Sequence, residues 1–306
     1  MPDVRVSKIL VHPIKSCRGI SVQHSRYTPE GLEYDRRWCI IEANDHTVIT
    51  AREVPKADLA SPHSGVLSVS FPADSGCESF SLPLCPSQAT LDSWKRFVPV
   101  MMWHVPFDAF VCEALSSPPS RSPSAILSVY FGRPVHLVYK GVQPRPCDPT
   151  VTHPNLEAKA VFQDCYPLLL LSEASTSRIE EELRGHVGSQ GIDERWKSRS
   201  LVIERFRPNI VFSGTAPFGE DTWKEIQIGS LPTAPTISMV SKCLRCLLPN
   251  ISPETGERDK AVPYKVLMKT RIGLDPQNKM KPCVGSNGVP SGAGEIRVGD
   301  CVFVRE

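Results

Sequence analysis

The sequence has no long apolar run and no excess of charge of one sign. Its apolar stretches, such as residues 167–171, are far shorter than the roughly 20 residues that span a bilayer. Thirty-five Lys and Arg against 33 Asp and Glu leave a formal charge of +2, too little to attract nucleic acid or an acidic membrane surface. A strand-like pattern starts at residue 4, which leaves no room for a signal peptide. We expect a cytoplasmic protein without a membrane segment.

Several recognised site patterns are also missing. The sequence has one Cys-x-x-Cys and no second pair, whereas a structural zinc site needs four ligands. Its eight histidines include no i, i+4 pair, and no Gly-x-Gly-x-x-Gly follows a strand, so neither a histidine metal site nor a dinucleotide site is indicated. Eleven irregularly spaced cysteines are an odd number, which favours mostly reduced thiols in an intracellular protein.

The single Cys-x-x-Cys, Cys243 and Cys246, lies where a predicted strand over residues 235–240 runs into a turn at 252–256. A thiolate at such a loop can bind a soft metal, and the adjacent Arg245 can hold an anion through two parallel hydrogen bonds. The motif alone is weak, because two thiols on one turn are more often packing residues.

Alternation and turn signals predict a mostly β chain with a few helices in its second half. Strands are predicted at residues 4–11, 20–27, 36–41, 47–52, 66–71, 79–82, 97–103, 135–139, 168–171, 206–212 and 223–228, the first four as a meander. Helices are predicted at 123–131, 173–184 and 193–201, and a closing hairpin at 295–304. A Ser- and Pro-rich stretch at 116–124 is typical of a linker.

Cationic and polar side chains recur near the predicted strand ends. Each is more often a surface residue when taken separately, but together they are suited to binding an anion. Ser172 adds a hydroxyl and free amides at a helix start, which can also receive an anion. Arg207 and Asn209 are expected on one face of a strand. The set consists of Lys15, Ser16, Arg36, Arg207, Asn209, Arg245 and Ser172.

These residues fall within motifs that resemble the MOSC domain proteins with an N-terminal β-barrel module, including the mitochondrial amidoxime reducing components. The matching motifs occur in family order across nearly the whole chain: residues 12–19 (HPIKSCRG), 35–38 (DRRW), 50–52 (TAR), 171–175 (LSEAS), 206–211 (FRPNIV), 243–246 (CLRC), 252–256 (SPETG) and 296–300 (IRVGD). The resemblance implies an α+β, predominantly β fold. It places the N-terminal β-barrel domain at residues 1–118 and the MOSC β-barrel domain at 119–306.

The resemblance also implies a molybdenum cofactor, molybdenum-molybdopterin, held by the anion-binding set named above and by Asn287. The same resemblance makes an association with mitochondria the alternative to a cytoplasmic location. Cys246 matches the thiolate that binds molybdenum, so a single cysteine suffices because the pterin dithiolene supplies two further sulfurs. The implied activity is an oxidoreductase that reduces small N-hydroxylated compounds. Electrons would come from a partner of the cytochrome b5 type with its NADH-dependent reductase. Two alternatives remain: a cofactor carrier or sulfur-transfer module without reductase turnover, and a binding domain that has lost its cofactor.

Overall fold

The structure, a computed structural model, describes residues 3–50, 65–112, 121–229 and 233–306. Strands dominate it, in agreement with the predicted α+β, mostly β class. The strands are β1 (Arg5–Val11), β2 (Ile20–Val22), β3 (His24–Thr28), β4 (Gly31–Leu32), β5 (Trp38–Glu42), β6 (Val66–Val69), β7 (Phe80–Pro83), β8 (Arg96–Met102), β9 (Val105–Val111), β10 (Val135–Lys140), β11 (Arg145–Pro146), β12 (Lys159–Ala160), β13 (Leu168–Ser172), β14 (Ile210–Ser213), β15 (Glu225–Ile228), β16 (Ile237–Leu244), β17 (Cys283–Pro290), β18 (Gly294–Arg297) and β19 (Val302–Arg305).

Helices are few and short. They are α1 (Gln88–Ser93), α2 (Pro123–Phe131), α3 (Glu173–Arg184) and α4 (Tyr264–Thr270), with 3₁₀ segments at Ala73–Ser75, Glu194–Lys197, Ile203–Phe206, Gly219–Asp221 and Leu248–Asn250. The predictions of α2 and α3 are confirmed. The Ser172 hydroxyl accepts the Ser175 amide at 3.1 Å, and α3 buries Ile179 and Leu183, four residues apart on one face.

An eight-stranded sheet forms the larger part of the fold. Its order is β19-β15-β16-β17-β13-β14-β1-β2, antiparallel except between β13 and β14. Neighbouring residues of one strand enter different cores, as strand geometry requires. Ile210 packs on one face with Leu170, whereas Val211 packs on the other with Leu171 and Ile179 of α3.

A four-stranded sheet, β5-β10-β9-β8, carries a separate core against which α2 packs. Trp38, Trp94 and Tyr139 meet in this core, with ring centroids of Trp38 5.9 Å and 4.9 Å from the other two. Among the described residues these sheets are open and do not close into a barrel.

The predicted domain boundary at 118/119 lies outside the described residues and stays a prediction, as do the linker residues up to 120 and the motif positions 51–52. Strands from the two sides of this predicted boundary pair with each other. β10 pairs with β5 and β9, whereas β1 pairs with β14 and β3 pairs with β18.

Three predictions of local structure are wrong because long-range contacts override the local pattern. The helix over 193–201 is a 3₁₀ segment of four residues, since the Leu201 amide donates to the Glu180 carboxylate and Trp196 donates to Asp259. The closing hairpin does not form, because β18 pairs with β3 and β19 pairs with β15. The first four strands are not a simple meander, since β1 pairs with both β14 and β2.

The strand expected over 206–212 is also shorter than predicted. It starts at Ile210, after a 3₁₀ segment that ends at Phe206 and after Arg207, which has a left-handed backbone with φ of 56°. Pro208 follows and lacks an N–H for a strand ladder. The prediction that Arg207 and Asn209 share a strand face is therefore wrong.

Candidate functional site

Lys15 lies in the loop after β1 and points inward. Its amine donates to the Phe162 carbonyl at 3.0 Å and to Asp164 at 2.5 Å, and the residue is 5% exposed. Burial lowers the pKa of Lys15, Asp164 opposes this shift, and the nearby Arg145 and Arg36 add to it. Lys15 is thus a buried cation whose carboxylate partner stands at the surface.

Arg36 connects the first half of the chain with Arg207 and Asn209. One of its terminal nitrogens donates to Asp35 at 2.5 Å and to the Asn209 side-chain oxygen at 3.2 Å. The other donates to the Arg207 carbonyl at 3.1 Å. The structure therefore brings these predicted residues together, although not by the strand alternation that the sequence suggested.

Arg207 has a terminal nitrogen with unmet hydrogen-bonding capacity. Nη1 donates to the Cys17 carbonyl at 2.6 Å, whereas Nη2 is buried and has no hydrogen-bond partner. Burial lowers the pKa of Arg207 to about 10, and the like charge of Arg36 contributes in the same direction. A buried donor without an acceptor costs free energy, so an anion placed here would be stabilised.

The backbone at the site is unusual. Ser16, Arg36 and Arg207 all have positive φ, at 69°, 50° and 56°. Such angles are uncommon for residues other than glycine, and they concentrate at ligand clamps and active sites. Left-handed backbone at three of the predicted cofactor residues is therefore a second indication of a binding site, independent of their charge.

His12 and Asp35 are buried next to Arg36 and hold its position. The Asp35 carboxylate accepts the His12 amide at 2.8 Å and also contacts Arg36. Burial alone would raise the pKa of Asp35, but Arg36 and the hydrogen bond from His12 outweigh it and hold that pKa well below its usual range. Burial, with Arg207 and Arg36, lowers the pKa of His12 to about 3, so its ring is neutral at pH 7.

Arg245 fixes the position of the cysteine loop. Its guanidinium donates to the Val284 carbonyl at 2.9 and 2.6 Å and to the Phe206 carbonyl at 2.9 Å. The side chain is buried and lies over the Phe206 ring at 5.4 Å. These contacts join β17 and the segment before Arg207 to the loop that follows β16.

Cys246 is half-buried in that loop, and its sulfur accepts the Leu248 amide at 3.4 Å. Cys243 lies near the end of β16, where burial raises its pKa and its Sγ is 3.8 Å from the Leu244 carbonyl oxygen. Among the residues that the structure describes, no group of three or more His, Cys, Asp or Glu is placed to hold a metal ion.

Ser172 lies in a separate buried network. Its hydroxyl contacts Ser175 at 2.7 Å, and the carboxylate of Glu220 accepts both the Ser172 amide and the Ser175 hydroxyl. The Ser172 amide and the Ser175 hydroxyl at the start of α3 therefore already have an acceptor, the Glu220 carboxylate. Asn287 is on β17, where its amide donates to Ser241 at 3.0 Å. None of these hydrogen bonds connects Ser172 or Asn287 to Arg36 or Arg207.

Sequence reasoning missed Arg145 and Asp164. Arg145 is 3% exposed and donates to the Val161 and Gln163 carbonyls at 2.9 and 2.5 Å, close enough to affect Lys15 electrostatically. It lies in β11, within a segment that the sequence pattern predicts to be a proline-rich loop, and that pattern carries no sign of burial. The one feature of the sequence that could have indicated Arg145 is its positive charge within a segment that otherwise resembles a loop.

Positive charge is in excess across the site. The site has five cations: Lys15, Arg36, Arg145 and Arg245 are buried, and Arg207 is partly buried. Within the described ranges, the carboxylates that contact them are those of Asp35 and Asp164. Five minus two leaves three positive charges, which an oligovalent anion would balance.

A cleft of about 490 Å³ opens beside this cluster. Its lining includes Pro72, Tyr130, Leu248 and the turn at 252–256. Ser16 and Arg207 also line the cleft. Its size suits a small molecule, and both halves of the chain contribute to it.

No helix within the described ranges is long and apolar enough to cross a membrane. Comparison with known families matches residues 3–114 to the MOSC N-terminal beta barrel domain and residues 157–303 to the MOSC domain.

Curated relatives agree with the two domain matches. The mouse mitochondrial amidoxime-reducing component 1 is 28% identical over 98% of this chain and 82% of its own length. The rat mitochondrial amidoxime reducing component 2 is 29% identical over 97% and 82%. The rice molybdenum cofactor sulfurase is 27% identical over 83% of this chain but only 29% of its own length. The chain therefore belongs to the MOSC domain proteins that carry an N-terminal MOSC β-barrel domain, and it is similar over nearly its whole length to the mitochondrial amidoxime reducing components.

Proposed function

We propose that this chain binds a molybdenum-pterin cofactor and uses it to reduce small N-oxygenated compounds. The observation that carries the proposal is the excess of positive charge around Arg207, whose buried Nη2 lacks an acceptor. A phosphate dianion supplies both the missing acceptor and the missing negative charge. The donor set therefore fits the phosphate of such a cofactor.

Each residue has a distinct part in this proposal. The phosphate and the pterin are held by Lys15, Ser16, Arg36 and Arg207. The guanidinium of Arg36 is oriented by its hydrogen bonds to Asp35 and Asn209. Arg245 positions the loop of Cys246 through main-chain carbonyls. Cys246 provides one soft sulfur ligand, and two dithiolene sulfurs would complete the set. Ser172 and Asn287 remain proposed contacts, although their present partners lie elsewhere.

When bound, molybdenum supplies two-electron removal of oxygen from an N–OH group, which is chemistry that side chains alone do not provide. The protein's own residues fix the cofactor, exclude water through burial and leave the cleft of about 490 Å³ for the substrate. The similarity to the mitochondrial amidoxime reducing components supports amidoximes as a substrate class. Electrons would arrive from a partner protein, for which we propose the cytochrome b5 type with an NADH-dependent reductase.

The test is molybdenum and pterin analysis of protein purified from a host that makes the cofactor, followed by reduction of benzamidoxime with a chemical electron donor. We expect about one molybdenum and one pterin per chain, together with formation of benzamidine. Protein that contains neither would contradict cofactor binding. Protein that contains both but produces no benzamidine would contradict the reductase activity alone.

That last outcome would favour a second function, a cofactor carrier or sulfur-transfer module. The similarity to the rice molybdenum cofactor sulfurase supports this second function, since 83% of this chain matches a part of that protein. A carrier would transfer its pterin to an acceptor apoenzyme, so restored activity of such an acceptor distinguishes the two.

A further inference from the structure

Trp103 forms the tip of the β8–β9 hairpin together with His104. Both residues have positive φ, at 52° and 67°, as a two-residue hairpin turn of the primed type requires. Asn and Gly are the usual residues at such positions, because a bulky side chain is strained there. A tryptophan held in this conformation suggests a role for its ring.

Trp103 differs from every other tryptophan of the chain in exposure. The chain has five tryptophans, and Trp103 is 44% exposed. The remaining four are core residues with at most 6% exposure: Trp38, Trp94, Trp196 and Trp223. At this exposure the indole presents apolar surface that a bound ring could cover.

The ring stands beside the proposed cofactor residues. Its centroid is 5.8 Å from the Lys15 amine, which is itself held by Phe162 and Asp164. The hairpin is anchored next to the tip, because the Met101 amide donates to the His46 carbonyl at 3.1 Å and Met101 bridges to Thr47. The indole is therefore placed at the rim of the cation cluster by a fixed backbone.

We propose that the Trp103 indole forms the outer wall of the cofactor site and stacks on the planar pterin ring. This rests on the proposed function, which assigns Lys15 to the cofactor. Stacking of a heteroaromatic ring on tryptophan is favourable and tolerates variation in the ring. A flat ring bound by Lys15 would cover the exposed indole, which accounts for both its exposure and its strained position.

The chain offers a matched pair of variants for the test. Trp103→Asn removes the ring, and His104→Asn places the same residue at the adjacent turn position; asparagine tolerates positive φ at both. Trp103→Phe keeps a flat ring at the same place. Each protein is loaded with cofactor, diluted, and assayed over time for pterin retained, through the fluorescence of its oxidised derivative.

We expect Trp103→Asn to lose pterin roughly five- to a hundredfold faster than wild type, the range expected for loss of one stacking platform. His104→Asn should release pterin at the wild-type rate, and Trp103→Phe should fall between the two. Acrylamide quenching of intrinsic fluorescence is a second measurement, because Trp103 is the exposed fluorophore. Loading with cofactor should remove the acrylamide-accessible component in wild type.

Equal pterin release from wild type and Trp103→Asn, with quenching unchanged by loading, would overturn the stacking role. A change confined to the KM of the substrate, with unchanged pterin release, would assign the ring to the substrate and likewise overturn it. Wild-type protein that binds no pterin would overturn both this inference and the proposed function, whereas retention by wild type and variant alike would overturn the inference alone.

Discussion

Arg36 donates a hydrogen bond from its side chain to the backbone carbonyl of Arg207 at 3.1 Å, across 171 residues of sequence. The contact holds two like-charged guanidinium groups close together inside the protein. Asp35 balances one of them, and the Arg207 Nη2 remains without an acceptor. This arrangement has consequences for cofactor binding and for the pH dependence of stability.

Arg207→Ala should fold and lose cofactor. One charge-assisted hydrogen bond is worth about 1.5–3 kcal/mol, or roughly ten- to a hundredfold in affinity. The measurement is pterin retained after dilution, with circular dichroism to check folding. Lys15→Ala should behave similarly. Arg178→Ala, at an exposed ion pair on α3, is the control and should retain pterin fully. Full pterin retention by both site variants would show that the pocket is misassigned.

Cys246→Ala should abolish reduction of an N-hydroxylated substrate, while keeping some pterin through the phosphate contacts. Cys243→Ala, three residues earlier near the end of β16, should keep most activity when turnover is normalised to bound molybdenum. A metal-bound thiolate resists alkylation, so Cys246 should react with iodoacetamide only after cofactor removal. Equal activity of the two variants, or loss in Cys243→Ala alone, would refute Cys246 as the ligand.

His12 should make the protein less stable as pH falls. Its pKa is about 3 in the folded protein and about 6.5 in an unfolded chain. Between these values the unfolded chain binds a proton that the folded protein does not. Stability should therefore fall by about 1.4 kcal/mol per pH unit from this group below pH 6.5, and level off near pH 3.

Urea unfolding of wild type and His12→Gln at several pH values between 7 and 4 tests this dependence. The variant is expected to be less stable at pH 7, since its side chain replaces a packed ring. Its stability should nevertheless decline less steeply with falling pH. Parallel stability curves for the two proteins would show that His12 does not titrate as inferred.

Gly19→Ala should be destabilising, because the added Cβ would lie 2.4 Å from the His12 ring. Overpacking of this kind costs about 1–3 kcal/mol and should displace the ring. Gly292→Ala is the matched control, since its nearest atom is at an ordinary 3.6 Å. Thermal unfolding of both variants checks the difference, and equal midpoints would contradict the packing argument.

Local signals in the sequence were sufficient for some elements. Ser172 and Gly185 marked both ends of α3, because capping depends on neighbouring residues alone. Pro123 likewise stands at the start of α2, where its missing N–H costs nothing. The ordered motifs also indicated the family and selected Lys15, Arg36 and Arg207 as site residues. These features are encoded within short stretches of chain.

Tertiary structure alone decided how the selected residues meet. Left-handed backbone at Arg207 replaced the expected strand, and the parallel β13–β14 pair with β1 set Asn209 beside Arg36. The same applies to Arg145 and Trp103, whose partners lie far away in sequence. Short-range periodicity determines which segments form strands and helices, whereas strand pairing between distant segments determines which side chains share a buried, low-dielectric site.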